Sequence, residues 1–173
     1  MKSASLGWTA CLLGLLMLSF SAFADELKDA EKLYKSGEYG PAMKEVDAWL
    51  ATHPEEAKGR FLKGMILLGE KDQDEALKVF LKLTEDYPEL PEPYNNIAVI
   101  YASRGEYDMA KNELEAAITA HPDYAKAREN LGDIYVRLAR QSYEKALKLD
   151  GSQTGLQQKL ELLDQILSNR RQP

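Results

Sequence analysis

His53 and His121 are the two imidazoles of the chain, and each stands directly before a proline. Imidazole is the commonest general base and metal ligand, so these positions are where chemistry would first be sought. Neither has a carboxylate or cysteine at metal-ligand spacing. A place at a helix C-terminus, where a polar and partly cationic ring is favoured, accounts for both. The sequence holds no Gly-rich phosphate loop, nucleophile elbow or catalytic-dyad signature. Carboxylates such as Glu75, with Lys78 beside it, and Glu113 fall at solvent-facing helical positions. No catalytic residue, no cofactor and no metal site is assigned, and the chain reads as a non-enzyme. What remains is a set of amides, Asn95, Asn96 and Asn130. Such groups both donate and accept, which suits a peptide backbone.

The elements that position these residues follow from a fixed period. Pro54, Pro88 and Pro122 are 34 residues apart, and Ala42, Ala76 and Ala110 keep the same step. Gly37 and Gly105, Tyr39 and Tyr107, and the two histidines are separated by two steps. A shared period of this length marks a repeat architecture of helix–turn–helix units. The clearest unit reads Tyr94-x2-Ile97-Ala98-x2-Tyr101, Gly105, Tyr107, Ala110-x3-Leu114, Ala117 and Pro122. The second keeps Gly64, Leu67, Ala76-x3-Phe80, Leu83 and Pro88, with a turn shifted to Gly69-Glu70-Lys71-Asp72. The first keeps Gly37, Tyr39, Ala42, Val46 and Pro54, and its first helix is degenerate, as an outer repeat packed on one side is expected to be. The pattern resembles the tetratricopeptide repeat over about residues 25–150. The resemblance implies an all-α fold, a right-handed solenoid of antiparallel helix pairs. The repeats are expected at about 25–56, 57–90 and 91–124, with a truncated, degenerate fourth at 125–150.

The fourth repeat starts normally, with Asn130, Leu131-Gly132 and Tyr135. Five residues that should form its turn are then missing, and no Gly or Pro occurs from Asp133 to Asp150. Leu131, Tyr135, Leu138, Ser142, Ala146 and Leu149 stay on one narrow face at 100° per residue. The expectation is one long helix; the competing reading is a tight break near Arg140 to Ser142. Residues 151–173 read as a capping helix and short tail, with Leu156, Leu160, Leu163 and Leu167 on its apolar stripe. The cap is expected to hide Leu149, Leu156, Leu160 and Leu163. A partner-binding helix is the alternative.

Residues 1–24 read as a cleavable signal peptide. Lys2, the short apolar run Leu12–Phe20 and Ala22-Phe23-Ala24 occur in the expected order, with cleavage after Ala24. An uncleaved anchor is the competing reading, disfavoured because the run is short for a membrane span. Cys11, the one cysteine, lies within this segment, so a mature chain has no thiol, as suits an oxidising compartment. Cleavage removes one of 22 Lys and Arg and none of 28 Asp and Glu, so the net charge moves from −6 to −7. That balance argues against nucleic acid and anionic membrane as partners. The expected location is the periplasm or another exported compartment, with no membrane span remaining after cleavage.

In the family that the repeats resemble, first helices line a concave groove. Carried over by register, its columns are Leu27, Glu31 and Tyr34; Phe61, Met65 and Leu68; Asn95, Val99 and Ala102; and Glu129, Asp133 and Val136. With Gly64, Leu67, Ala76 and Phe80 taken as core, Phe61, Met65 and Leu68 form a second apolar stripe of the kind that marks a binding surface. The assigned groove is therefore Phe61, Met65, Leu68, Asn95, Asn96, Val99, Asn130 and Asp133. A carboxylate clamp known in the family is incomplete here: Lys126 and Asn130 fit, while Glu92, Leu62 and Lys28 do not. The expected function is a scaffold that holds a peptide or helical segment of another envelope protein. The alternative is a structural subunit that uses its convex face or C-terminal helix.

Overall fold

The computed structural model describes residues 27–152 and 154–169; the expected leader, its cleavage point after Ala24 and Cys11 lie outside the described residues. Regular structure among the described residues is helical throughout. The first helix, α1, covers 27–35 there. It is followed by α2 (Tyr39–Thr52), α3 (Ala57–Gly69), α4 (Gln73–Asp86), α5 (Pro91–Ser103), α6 (Tyr107–Ala120), α7 (Ala125–Leu149) and α8 (Thr154–Asn169). The chain forms two compact units, one ending at Val79 and the other beginning at Phe80, within α4.

In the first unit the core gathers Leu27, Ala30, Ala42, Val46, Leu62 and Ile66. Ala42 is fully buried, which is what lets α2 and its neighbour approach. On α3 the fully apolar inner positions are Leu62 and Ile66, four residues apart on one helical face. Leu67, expected in the core, is only half-buried. Leu27 belongs to the core and not to a groove column, because α1 turns that face onto α2 and α3.

The turns within the helix pairs share one geometry. Gly37 and Gly105 have φ of 80° and 78°, and Lys71, one repeat from each, has φ of 66°. In all three the next amide donates to the carbonyl five residues back: Glu38 to Leu33, Asp72 to Leu67 and Glu106 to Tyr101. The second turn is therefore not shifted. Lys71 takes the left-handed position, and Gly69 serves another purpose. The Tyr39 ring lies so close over Gly69 that a Cβ there would overlap it.

In the second unit Ala98, Ala110, Leu114, Ala117, Ala127 and Ile134 form the core. Pro91 opens α5 in its first turn, where a missing N–H costs nothing. The Arg128 guanidinium clamps the loop before α7, donating to Pro122 O through Nε at 3.0 Å and Nη2 at 2.7 Å. As the missing turn predicts, α7 runs unbroken for 25 residues, through Arg140, Gln141 and Ser142. At 1.5 Å per residue that is about 38 Å. Helix α8 folds back on it, tied by Arg140 Nε to Asp164 Oδ1 at 2.7 Å and by Lys159 over the Tyr143 ring at 5.3 Å. Leu156, Leu160, Leu163 and Leu167 are half-buried in this hairpin. Leu149 is not hidden as expected: it is 89 % exposed, because it ends α7 where the chain leaves to turn.

Two stability predictions follow from these contacts. A lysine in the left-handed region carries steric strain that glycine lacks. Lys71→Gly should raise the unfolding free energy by about 0.5–1 kcal/mol, and so the denaturant midpoint, and Gly69→Ala should lower stability by about 1–3 kcal/mol by overlap with Tyr39. Equal midpoints for the three proteins would contradict the turn geometry. On α6, burial pushes the Glu113 carboxyl above its ordinary 4.5. The folded chain then holds that proton more tightly than the unfolded chain, so stability falls as pH rises above about 4.5 and stays reduced at neutrality. Glu113→Gln should melt higher than the parent at pH 7, and the gap should close in acid; thermal scans across pH 3–7 read both.

Candidate partner-binding site

The assigned groove residues fall in both units, and each group has its own surroundings. On α3, Phe61, Met65 and Leu68 are half-buried, while Leu62 and Ile66 are buried. The stripe is one helical face at i, i+4 and i+7, adjacent to the core face of the same helix. Glu31, in the preceding column, pairs with Lys58.

The second unit has a defined cleft of about 240 Å³ where α5, α6 and α7 meet. Val99 and Ala102 line it from α5, Leu114 from α6, and Asn130, Asp133 and Ile134 from α7. The geometry follows from sequence. Val99 and Ala102 lie one turn apart on α5, and Asn130, Asp133 and Ile134 occupy neighbouring turns of one α7 face. Ala98, Ala110 and Ala117 are all buried and small, which draws the helices together beneath the cleft. Val99 is 47 % exposed at the cleft wall.

The amides have a different role from that expected of open groove donors. Asn95 is buried, at 7 % exposure. Its Oδ1 accepts from Asn130 Nδ2 at 2.7 Å, tying α5 to α7 at the cleft's edge. Asn96 Nδ2 donates to Glu92 O at 2.9 Å, one turn back on its own helix. Asn95 therefore braces the site, Asn130 both braces and lines it, and Asn96 is satisfied within α5. The clamp residue Lys126 is taken up by Glu129 at 3.0 Å.

The histidines are where a capping role puts them. His53 and His121 each occupy a helix C-cap, their backbone N–H donating to Trp49 O and Ala117 O. The His53 ring also stacks on Trp49, with centroids 3.9 Å apart. Among the described residues no group of His, Cys, Asp and Glu could hold a metal ion. No helix among them is long and apolar enough to cross a membrane.

Three cleft residues are given no role by the sequence reading: Ser103, Ile134 and Arg137. Arg137 lines the cleft from α7. It stands 34 residues after Ser103, which also lines the cleft and ends α5. In the earlier pairs this register position closes the first helix, as Gly69 does in α3. The deleted turn leaves it in mid-helix in α7. Extending each column by one position past Ala102 and Val136 would have found it.

Comparisons with known proteins agree with this architecture. The sequence matches the tetratricopeptide repeat family over residues 27–91 and 95–153. It is 30% identical over 83 residues to the photosystem I assembly protein Ycf3 of Prochlorococcus marinus (strain NATL1A), covering 46% of this chain and 48% of that protein. The chain thus spans about half the length of the curated relatives it matches. Among solved structures, Pseudomonas aeruginosa pilF superposes with a TM-score of 0.62 at 18% identity, covering 87% of this chain and 70% of that one. A MamA fragment from Desulfovibrio magneticus RS-1 gives 0.61 at 19%, covering 84% and 85%. The repeated turns, the small-residue core and a match over most of the length place this all-α chain in the tetratricopeptide repeat family.

Proposed function

We propose that the protein is a non-enzymatic adaptor that holds a segment of a protein partner against the first helices of its repeats. The observation that carries this reading is the cleft at α5, α6 and α7. Ala98, Val99, Ala102, Leu114 and Ile134 give it an apolar wall beside the polar Ser103, Asn130, Asp133 and Arg137, its edge is braced by the Asn95–Asn130 amide pair, and Val99 stands exposed in it. An apolar surface held open on a braced scaffold is suited to an apolar side chain of a partner. Phe61, Met65 and Leu68 on α3 supply a further half-buried stripe in the first unit. The related photosystem I assembly protein is named for assembling a complex, and a part in assembling other proteins is the role proposed for this chain.

The partner is proposed to be an envelope protein met outside the cytoplasm. The support is the Lys2, Leu12–Phe20 and Ala22-Phe23-Ala24 order, together with the absence of cysteine after Cys11. Export predicts that the periplasmic form starts at Asp25. N-terminal sequencing of protein from the periplasmic fraction checks this, and a retained Met1 contradicts it.

A second reading has its own support. Leu162 and Ile166, one turn apart on α8, are 59% and 52% exposed. A structural subunit would use that face. Photo-crosslinkers at positions 99 and 162 separate the two in cells. The cleft reading expects capture at 99, and expects Val99→Asp to abolish it while stability stays within about 0.5 kcal/mol of the parent, as befits an exposed site. Capture at 162 alone, unaffected by Val99→Asp, would transfer the function to α8.

A further inference from the structure

The long α7 and the returning α8 create a second cavity, and one arginine joins it to the cleft. This pocket of about 320 Å³ lies between the start of α6, the middle of α7 and the end of α8. Tyr107, Arg137, Arg140, Gln141, Asp164 and Leu167 line it. Its two guanidinium groups differ in state. Arg140 is fully engaged, with Asp164 Oδ1 at 2.7 Å and Glu144 Oε1 at 2.8 Å. Arg137, one turn earlier, lies over the Tyr107 ring at 5.7 Å and has no carboxylate partner among the described residues.

A guanidinium stacked on a ring keeps its in-plane donors available, and their fork matches a carboxylate. The ring contact also favours one placement of the side chain before any ligand arrives, so less rotamer freedom is lost on binding. Arg140 is held away from that task by its two acids. The pocket therefore offers one pre-placed cation, with an amide from Gln141 beside it and an apolar wall from Leu167. Arg137 also lines the cleft. A partner segment with an apolar side chain in the cleft passes Arg137 within one turn of Ile134, about 4.5 Å along α7.

Building on the cleft reading, we infer that Arg137 receives an Asp or Glu side chain of the bound segment, close in sequence to the apolar residue that fills the cleft. This adds a partner chemistry that the net charge of the chain disguises. The molecule is acidic as a whole, at −6, and would repel a generally acidic partner. A single acid aimed at the half-buried Arg137, in a cleft that also carries Asp133, is selected instead by position.

The test is a selection from a random peptide library displayed with no free C-terminus, so that every carboxylate is a side chain. Immobilised parent, Arg137→Gln and Val99→Asp proteins are compared, each checked first for its melting midpoint. The parent should enrich peptides with an apolar residue and a nearby Asp or Glu. Arg137→Gln should keep the apolar preference, lose the acidic one and bind the winning peptide about tenfold more weakly, the worth of a charge-assisted hydrogen bond. Lys145→Gln, which removes an exposed charge from the same helix outside the pocket, should leave that affinity unchanged. If Arg137→Gln fails to fold, Arg137→Lys decides: it keeps charge and stem but loses the fork, so the winning peptide should bind several-fold more weakly. Apolar enrichment without acid, or equal acidic preference in the arginine variants, overturns the inference and leaves the cleft reading intact. No enrichment, or the same peptides on Val99→Asp, defeats the cleft reading and this inference with it.

Discussion

Close approach of helices at small residues is the constraint on which the rest of the structure depends. Ala42, Ala76 and Ala110, one repeat apart, are all fully buried. At each the missing side-chain bulk is what allows a helix pair to close. Larger residues there would be overpacked at about 1–3 kcal/mol each. Four residues on, Val46, Phe80 and Leu114 are also buried, and they vary in size where the alanines do not. The alternation sets a fixed distance with one column and fills the remaining space with the other. In the second unit this spacing shapes the surface between α5, α6 and α7. Helices drawn together at Ala98, Ala110 and Ala117 leave room above them only for a narrow cleft.

The deletion in the fourth repeat converts that regularity into something particular to this chain. Without a turn, residues that would close one helix and open another are consecutive positions of α7. Past Ile134 none of them is fully buried among the described residues, although Leu138 still packs, half-buried, against the core. The hairpin with α8 is held instead by half-buried leucines, the Arg140–Asp164 ion pair and the Lys159–Tyr143 contact. Exposed ion pairs contribute little to stability. The half-buried apolar stripe therefore holds α8 in place, and the ion pair fixes its register along α7. Leu162 and Ile166 remain outside because they lie about 100° around the helix from that stripe.

Much of this was legible in the sequence, for reasons that are themselves physical. Period and small residues dictated the helix pairs, and the absence of a breaker from Asp133 to Asp150 dictated the single long helix. The misreadings came where a residue's type suggested a role that another residue performs. Gly69 looked like the turn glycine, yet it makes room for Tyr39, and Lys71 bears the positive φ. Leu67 resembled a core residue, while Leu62 and Ile66 hold the core face of α3. Ile66, Ile100 and Ile134 are one repeat apart and all buried, a column that periodicity alone could have identified. Asn95 looked like an open donor because burial is not written in residue type. Its partner, Asn130, is 35 residues away, one more than the repeat, so equal register did not point to the pair.

The amide pair shows how one polar contact can brace the cleft. A buried amide without a partner would cost about 1–3 kcal/mol, so Asn95 is tolerated at 7 % exposure only because Asn130 meets it. That bond joins α5 to α7 across the end of the cleft and fixes the separation of its walls. A preformed cleft loses less entropy on binding than one that must be assembled. Arg137 is fixed by the same logic through a different contact, its stack on Tyr107. Asn130 and Arg137, two of the four polar side chains that line the cleft, are thus oriented by intramolecular contacts. On the proposed reading, affinity comes from the cleft's apolar residues, Val99, Ala102, Leu114 and Ile134. On that reading, orientation and choice of partner fall to Asn130 and Arg137, which the fold has already positioned.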